Sequence, residues 1–200
     1  MNKRLLTSVC IYVALFCGVL LTYDTQRMRQ LDEAASNVLV GQHIIGLFHY
    51  LGETVFVVAL GVVIVGYLLW RKKRSEALFA FLMVFGGYGI NQAIKHIVER
   101  PRPEIVDQLT SYSFPSGHTM ASLLWIATVL FLLTHGKKTT KRIIAMWVIG
   151  IVIAMLVGLS RVVESRHYFT DVLAGWMLAT AWLYVCLYVM KVQLEKKKKR

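Results

Sequence analysis

The sequence predicts an all-α integral membrane protein, with six transmembrane helices and a short outer-surface helical segment between the first two. Three observations predict it. The 200 residues are 56% hydrophobic with a mean hydropathy of +0.56, too apolar for an ordinary soluble domain. The apolar residues gather in blocks near the ~17–25 residues that cross a hydrocarbon core. No block alternates polar with apolar, which argues against a barrel, and helices pair their own backbone groups in lipid. The length fits one domain, residues 1–200.

The candidate spans run over residues 4–23, 54–70, 77–98, 119–134, 143–160 and 168–190. The first follows a basic start, as a secretory leader would. It lacks a small-x-small cleavage site, and the expectation is a retained anchor. Between the first two spans, residues 24–53 place Leu31, Ala34, Ala35 and Val38, then Ile44, Phe48 and Leu51, at helical spacing. One or two short amphipathic helices on the outer surface fit this pattern, either as a packed cap or as a rim that guides a lipid. His43 and His49 are expected to be interfacial polar residues.

Charge orients the bundle. The loops holding Lys3 and Arg4, residues 71–74, Lys137, Lys138, Lys141, Arg142, Lys191 and the KKKKR tail carry 16 of the 23 basic residues. That face is expected to be cytoplasmic, with both termini inside a plasma membrane. The basic tail, 191–200, is then a topology anchor, and contact with anionic headgroups comes second. The net charge of +12 is accounted for without nucleic acid. Cys10, Cys17 and Cys186 lie inside apolar runs and read as fillers, forming neither a disulfide framework nor a zinc site.

The opposite face carries few cations, yet most of them cluster with histidines in three places. In KHIVERPRP, Lys95 follows Asn91 by one helical turn, and the Arg-Pro pairs end the helix. Lys95 could simply snorkel to the surface. In YSFPSGHTM, Pro115, Ser116 and Gly117 form a turn and a helix begins near His118. Free N–H groups and the positive dipole end there suit an anion, and Ser116 is a candidate cap. In SRVVESRHYFTD, His167 and Asp171 share one helix face, so the carboxylate can fix one imidazole tautomer. Arg161 can present a fork of donors to phosphate. Ionisable groups at membrane depth default to function. Together these groups suit phosphoryl transfer: cations hold the phosphate, one histidine attacks and the other protonates the leaving oxygen.

The chain resembles the type 2 phosphatidic acid phosphatases, the lipid phosphate phosphatases that share their core with vanadium haloperoxidases. Lysine, six residues and Arg-Pro match Lys95, Arg102 and Pro103, which selects Arg102 over Arg100. Pro-Ser-Gly-His matches residues 115–118, and Ser-Arg, five residues, His, three residues, Asp matches Ser160, Arg161, His167 and Asp171. The resemblance implies a phosphohistidine on His167, orientation by Asp171, and His118 as general acid. It implies that Lys95, Arg102, Arg161, Ser116 and Gly117 hold the phosphate, with no metal and no cofactor. The size and span count look like small bacterial members acting on phosphatidylglycerophosphate, undecaprenyl pyrophosphate or phosphatidic acid.

One stretch departs from the pattern. Many members place apolar, Gly, apolar before the attacking histidine, where this chain has Glu164, Ser165 and Arg166. Arg166 could contact a second phosphate or an anionic headgroup, or form an exposed pair with Glu164. Two other functional classes compete: an anionic-lipid transporter or resistance protein without turnover, and a metallohydrolase ligated by His118, His167 and Asp171. The neighbouring cations would repel a divalent metal, which counts against the last.

Overall fold

The computed structural model describes residues 3–105 and 110–198, with side chains described as far as Glu195. The KKKKR tail expected to anchor the topology therefore lies outside the described side chains. Among the described residues there are helices and turns and no strand. The helices are α1 (Lys3–Thr22), α2 (Gln26–Leu39), α3 (His43–Gly46), α4 (Thr54–Trp70), α5 (Arg74–Phe81), α6 (Gly87–Val98), α7 (Gly117–Thr134), α8 (Lys141–Val163) and α9 (Phe169–Lys198). A 3-10 stretch, Leu47–Gly52, continues α3, and a widened π turn, Leu82–Gly86, joins α5 to α6.

Among the described residues five stretches are long and apolar enough to cross a membrane: Lys3–Thr22, Arg74–Val98, Gly117–Thr134, Lys141–Val163 and Phe169–Glu195. The sixth, Thr54–Trp70, qualifies when joined to His43–Gly52, from which it bends by 44°. Hydroxyls inside the spans are satisfied locally: Thr128 Oγ1 donates to Leu124 O at 2.7 Å and Thr180 Oγ1 to Trp176 O at 2.7 Å. A span must pair its polar atoms in this way because lipid offers no water.

The core sits where α5 and the π turn meet α7 and α9, in Phe79, Met83, Met120, Leu124, Ala179 and Cys186. Helix α1 lies along α9, with Tyr12 stacked on Tyr184 at 5.9 Å between centroids. Phe16 and Val19 of α1 pack with Phe114, a loop residue beside the Pro-Ser-Gly-His turn, and with Ala174 of α9. So α1 braces the end of the bundle where the three polar motifs converge.

The segment between the first two spans is helical, as expected, and of the two placements left open its stripe takes the one facing away from the protein. The predicted apolar stripe on α2 points outward, with Val38 73% exposed, while acidic Asp32 is only 6% exposed. Val40, Ile44, Leu47 and Tyr50 extend the exposed apolar band. An interfacial helix turns its apolar side to lipid. Asp32 faces inward because it has buried donors to satisfy, described below.

Gly175 lets α9 approach the start of α7. A Cβ there would lie 3.0 Å from Ser116 O and 3.0 Å from Thr119 Cβ. Backbone oxygen cannot swing away, so Gly175→Ala must push the two helices apart, at a cost of about 1–3 kcal/mol. We expect a lower unfolding temperature in detergent and a lower kcat, measured on the same preparation.

Candidate active site

Three local stop signals bring the polar motifs to one end. Helix α6 ends after Val98 with Glu99 in the left-handed region at φ 52°, and the Arg-Pro repeats then prevent its renewal. Helix α7 starts at Gly117, so its first amide N–H groups lack intrahelical acceptors. Helix α8 ends at Val163, and residues 164–168 return the chain into α9.

His167 stands at the centre and is 3% exposed. Its Nδ1 lies 3.3 Å from Asp171 Oδ2, and its Nε2 lies 3.1 Å from Arg102 Nη1. A guanidinium only donates, so Nε2 must accept and Nδ1 must carry the proton that meets Asp171. An accepting Nε2 is the nitrogen able to attack an electrophile. Burial pushes the imidazole pKa from 6.5 down to about 3, with Arg102 and Lys95 adding to the effect and Asp171 opposing it. The ring is therefore neutral at physiological pH, the form a nucleophile needs.

Asp171 is itself held. Its Oδ2 accepts from Ser113 Oγ at 2.8 Å and Tyr168 N at 3.0 Å, and its Oδ1 accepts from Arg100 Nη1 at 2.6 Å. Arg100 donates onward to Thr170 Oγ1 at 2.7 Å and to Asp32 Oδ2 at 3.0 Å. It also lies 4.1 Å from the Tyr168 ring centroid and 4.6 Å from that of Tyr23. Asp32 closes the network by accepting from Thr170 N at 2.7 Å and Thr170 Oγ1 at 2.9 Å. Burial raises the Asp32 pKa, while the bonds from Thr170 and Arg100 pull it back. Asp32 and Ser113 carry no motif signal in the sequence. Arg100 was set aside by spacing, and a lone acid in a polar surface helix carries no signal.

The cations surround the His167 edge. Arg102 is locked by Ser111 O at 2.7 Å, Ser111 Oγ at 3.0 Å and Arg166 O at 2.6 Å. Burial, with neighbouring Arg161, lowers its pKa to about 10, so it stays charged at neutral pH. Lys95 is 4% exposed and donates to the carbonyls of Tyr112 and Ser113, so it is anchored inside and does not snorkel. Arg161 donates from Nη1 to Glu164 Oε2 at 2.6 Å. Its Nε and the Asn91 Oδ1 are the buried side-chain polar atoms without a partner among the described residues.

Lys95, Arg102, Gly117, His118 and His167 line one cavity of about 230 Å³. Its far wall is apolar, from Val57, Val58, Val84, Phe85 and Met120. A second cavity of about 610 Å³ reaches His167 from the α2 side, past Asp32 and Arg100. Ser116, Arg161 and Arg166 do not line the first cavity. The expected serine cap does not form either: Ser116 makes no side-chain cap bond, and its Oγ accepts from Thr119 Oγ1 at 2.8 Å. Among the described residues no three His, Cys, Asp or Glu side chains converge as metal ligands.

The departing stretch has a defined structure. Ser165 takes the left-handed conformation at φ 53°, where the family pattern has glycine. Glu164 does not sit in an exposed surface pair. Its carboxylate is 27% exposed and meets Arg161 Nη1 and His49 Nδ1, each at 2.6 Å. His49, expected to be merely interfacial, thus ties the segment between α1 and α4 to the α8–α9 hairpin.

Residues 76–195 match the PAP2 superfamily. The chain belongs to that family. It is 34% identical over 165 residues to phosphatidylglycerophosphatase B of Bacillus subtilis, covering 77% of this chain and 80% of that protein. It is 40% identical over 136 residues to an undecaprenyl-diphosphatase of Sulfolobus acidocaldarius, covering 64% of this chain and 59% of that protein. The crystal structure of a transmembrane PAP2-type phosphatidylglycerolphosphate phosphatase from Bacillus subtilis superposes with a TM-score of 0.78 at 27% identity, over 94% of this chain and 96% of that one. The PAP2 match and the apolar helices together make this an all-helical, multi-pass membrane protein.

Asp32 contacts Arg100, which contacts Asp171, the carboxylate that meets His167 Nδ1. Removing one member of a buried charged network costs about 3–5 kcal/mol. We expect Asp32→Ala to lower kcat on a lipid phosphate about ten- to a hundredfold with KM little changed, because Asp32 does not line the cavity shared by His118 and His167. Steady-state kinetics check this, and Asp32→Glu should recover part of the loss.

Proposed function

We propose that this chain hydrolyses the phosphate ester or pyrophosphate of a membrane lipid, without a metal, through a phosphohistidine at the outer membrane face. The observation that carries this reading is the His167 ring: Nδ1 on Asp171, Nε2 on Arg102, at the wall of a cavity that His118 also lines. The cavity is polar and cationic at one end and apolar at the other, which suits a phosphate joined to an alkyl tail. The curated relatives named as acting on phosphatidylglycerophosphate and undecaprenyl diphosphate support that substrate class.

In the proposed reaction Lys95, Arg102 and the free amide end of α7 draw the phosphate oxygens in. Nε2 of His167 attacks phosphorus, and the bond to the leaving oxygen breaks as His118 gives that oxygen a proton. Asp171 stabilises the charge that develops on the attacking ring. Water then attacks the phosphohistidine and yields its proton to His118. The P–N bond breaks, phosphate departs and His167 is restored. Arg161, buried with an unpartnered Nε, adds positive potential behind the phosphate. The outward orientation rests on the basic loops at the opposite end of the helices, with both termini cytoplasmic.

Phosphate release by purified protein tests the reading. Activity on lipid phosphates should survive a metal chelator, fall with vanadate and drop at least about a thousandfold in His167→Ala. Loss with chelator would mean a metallohydrolase. Binding of lipid phosphates without release would mean a transporter or resistance protein.

Arg166 supplies a separate test of substrate preference. It faces Arg102 and Arg161 electrostatically, lowering the pKa of Arg102. If it contacts a second phosphate, Arg166→Ala should reduce kcat/KM about tenfold more on a diphosphate lipid than on a monophosphate lipid. An equal loss on both would leave it a general cation of the rim.

A further inference from the structure

The outer segment between α3 and α4 reaches into the site through one carboxylate. Glu53 Oε1 lies 3.3 Å from His118 Nε2. This contact is built and held from several sides. Gly52, beside it, touches the His118 ring: a Cβ at Gly52 would lie 3.0 Å from His118 Cβ and 3.1 Å from its Cδ2. Only glycine lets the chain pass this close. Trp125 Nε1 donates to Leu51 O at 2.9 Å, fixing the same turn to α7. His49 Nδ1 fastens the preceding turn to Glu164 Oε1 at 2.6 Å, and Glu164 in turn holds Arg161.

We propose that Glu53 is the positioning carboxylate of His118: it accepts the hydrogen bond of the Nε2 N–H, leaves Nδ1 for proton exchange with the substrate, and stabilises the imidazolium that donates to the leaving oxygen. This rests on the hydrolase reading above and extends it to the second histidine. Among the described residues no group bonds His118 Nδ1, whereas Nε2 meets Glu53. A carboxylate can only accept from a neutral ring N–H, so the neutral ring carries its proton on Nε2. Nδ1 then holds the second proton when His118 acts as acid, and takes the proton of water when it acts as base. The site thus holds two His–carboxylate pairs of opposite sense. His167 turns Nδ1 to Asp171 and attacks with Nε2. His118 turns Nε2 to Glu53 and exchanges a proton through Nδ1. The charged and titratable groups around His118 are Glu53 and His49 on the outer segment, Arg161 on α8, and Lys95, Arg102 and His167 across the cavity. Glu53 is the acidic member in contact with the ring, set against several cations.

The test compares Glu53→Gln and Glu53→Asp with the parent protein on a lipid phosphate and on an activated aryl phosphate. Glutamine keeps the size and removes the charge. Glu53→Gln should lower kcat on the lipid substrate about ten- to a hundredfold with KM unchanged, and the aryl ester, whose leaving group needs no proton, should lose far less in the phosphorylation burst. Glu53→Asp should recover activity in part. The alkaline limb of kcat against pH should move to lower pH in Glu53→Gln, because the imidazolium loses its anion. Nitrogen-15 NMR of labelled histidine reports the His118 tautomer without turnover and should show Nε2–H in the parent protein. Equal loss on both substrates, an unmoved pH limb or an Nδ1–H tautomer would overturn the assignment. A parent protein that releases no phosphate would instead remove the hydrolase reading on which it rests, and the proposal with it.

Discussion

The buried guanidinium of Arg100 is the interaction on which the site depends. It lies between two carboxylates, Asp171 at 2.6 Å and Asp32 at 3.0 Å, with tyrosine rings of the α1 end and the α8–α9 hairpin close by. Buried pairs of this kind seldom stabilise a fold, because desolvation offsets most of the attraction. They do fix geometry, since any other arrangement strands a charge in a place without water. Here the geometry fixed is that of Asp171, and through it the His167 ring. One cation thereby joins α2, the Arg-Pro stretch and the start of α9, three segments far apart in sequence.

That network explains why the outer segment packs as it does. Apolar periodicity leaves two placements for Leu31, Ala34 and Val38, packed as a cap or turned away as a rim, and the structure turns Leu31 and Val38 outward. In water the hydrophobic effect would decide which face is buried. At a membrane surface an apolar stripe is equally well served by lipid, so its burial contributes little preference between partners. The polar side then decides, and Asp32 goes inward to meet Arg100 and the backbone N–H of Thr170. The amphipathic rule gives the helix and its apolar stripe and leaves open which side meets the protein.

The same distinction separates what was legible in the sequence from what was not. Span positions follow from apolar block length: the structure moves most ends by only a few residues, as where α8 runs to Val163 and not to residue 160, while α9 runs on to Lys198, through most of the stretch expected to be a tail. Lys95, Arg102, His118, Arg161, His167 and Asp171 stand out because ionised groups are rare at membrane depth. Arg100, Asp32, Glu53 and His49 are the same residue types, but they sit in loops or on surface helices where charge is ordinary. Their contacts lie 65 or more positions away along the chain, as in Glu53 with His118, Arg100 with Asp171 and Asp32 with Thr170. Spacing within a motif cannot encode such a contact. Ser116 fails differently: its position fits a cap, but Thr119 supplies a competing hydroxyl donor one turn on.

The stretch Glu164-Ser165-Arg166 shows how a departure from a family pattern can keep the pattern's geometry. The backbone still needs a left-handed residue before His167, and Ser165 supplies it at φ 53° at a local cost of about 1–2 kcal/mol. The flanking residues give that cost a return. Arg166 keeps its carbonyl on Arg102, whose Nη1 also meets His167 Nε2. Glu164 holds Arg161 on one side and His49 on the other. An apolar residue at 164 would leave Arg161 without that partner and would remove one of the ties on the turn that carries Glu53. In this chain the hairpin is therefore coupled to the outer segment by charge, and the two histidines of the site are braced by segments that also hold each other.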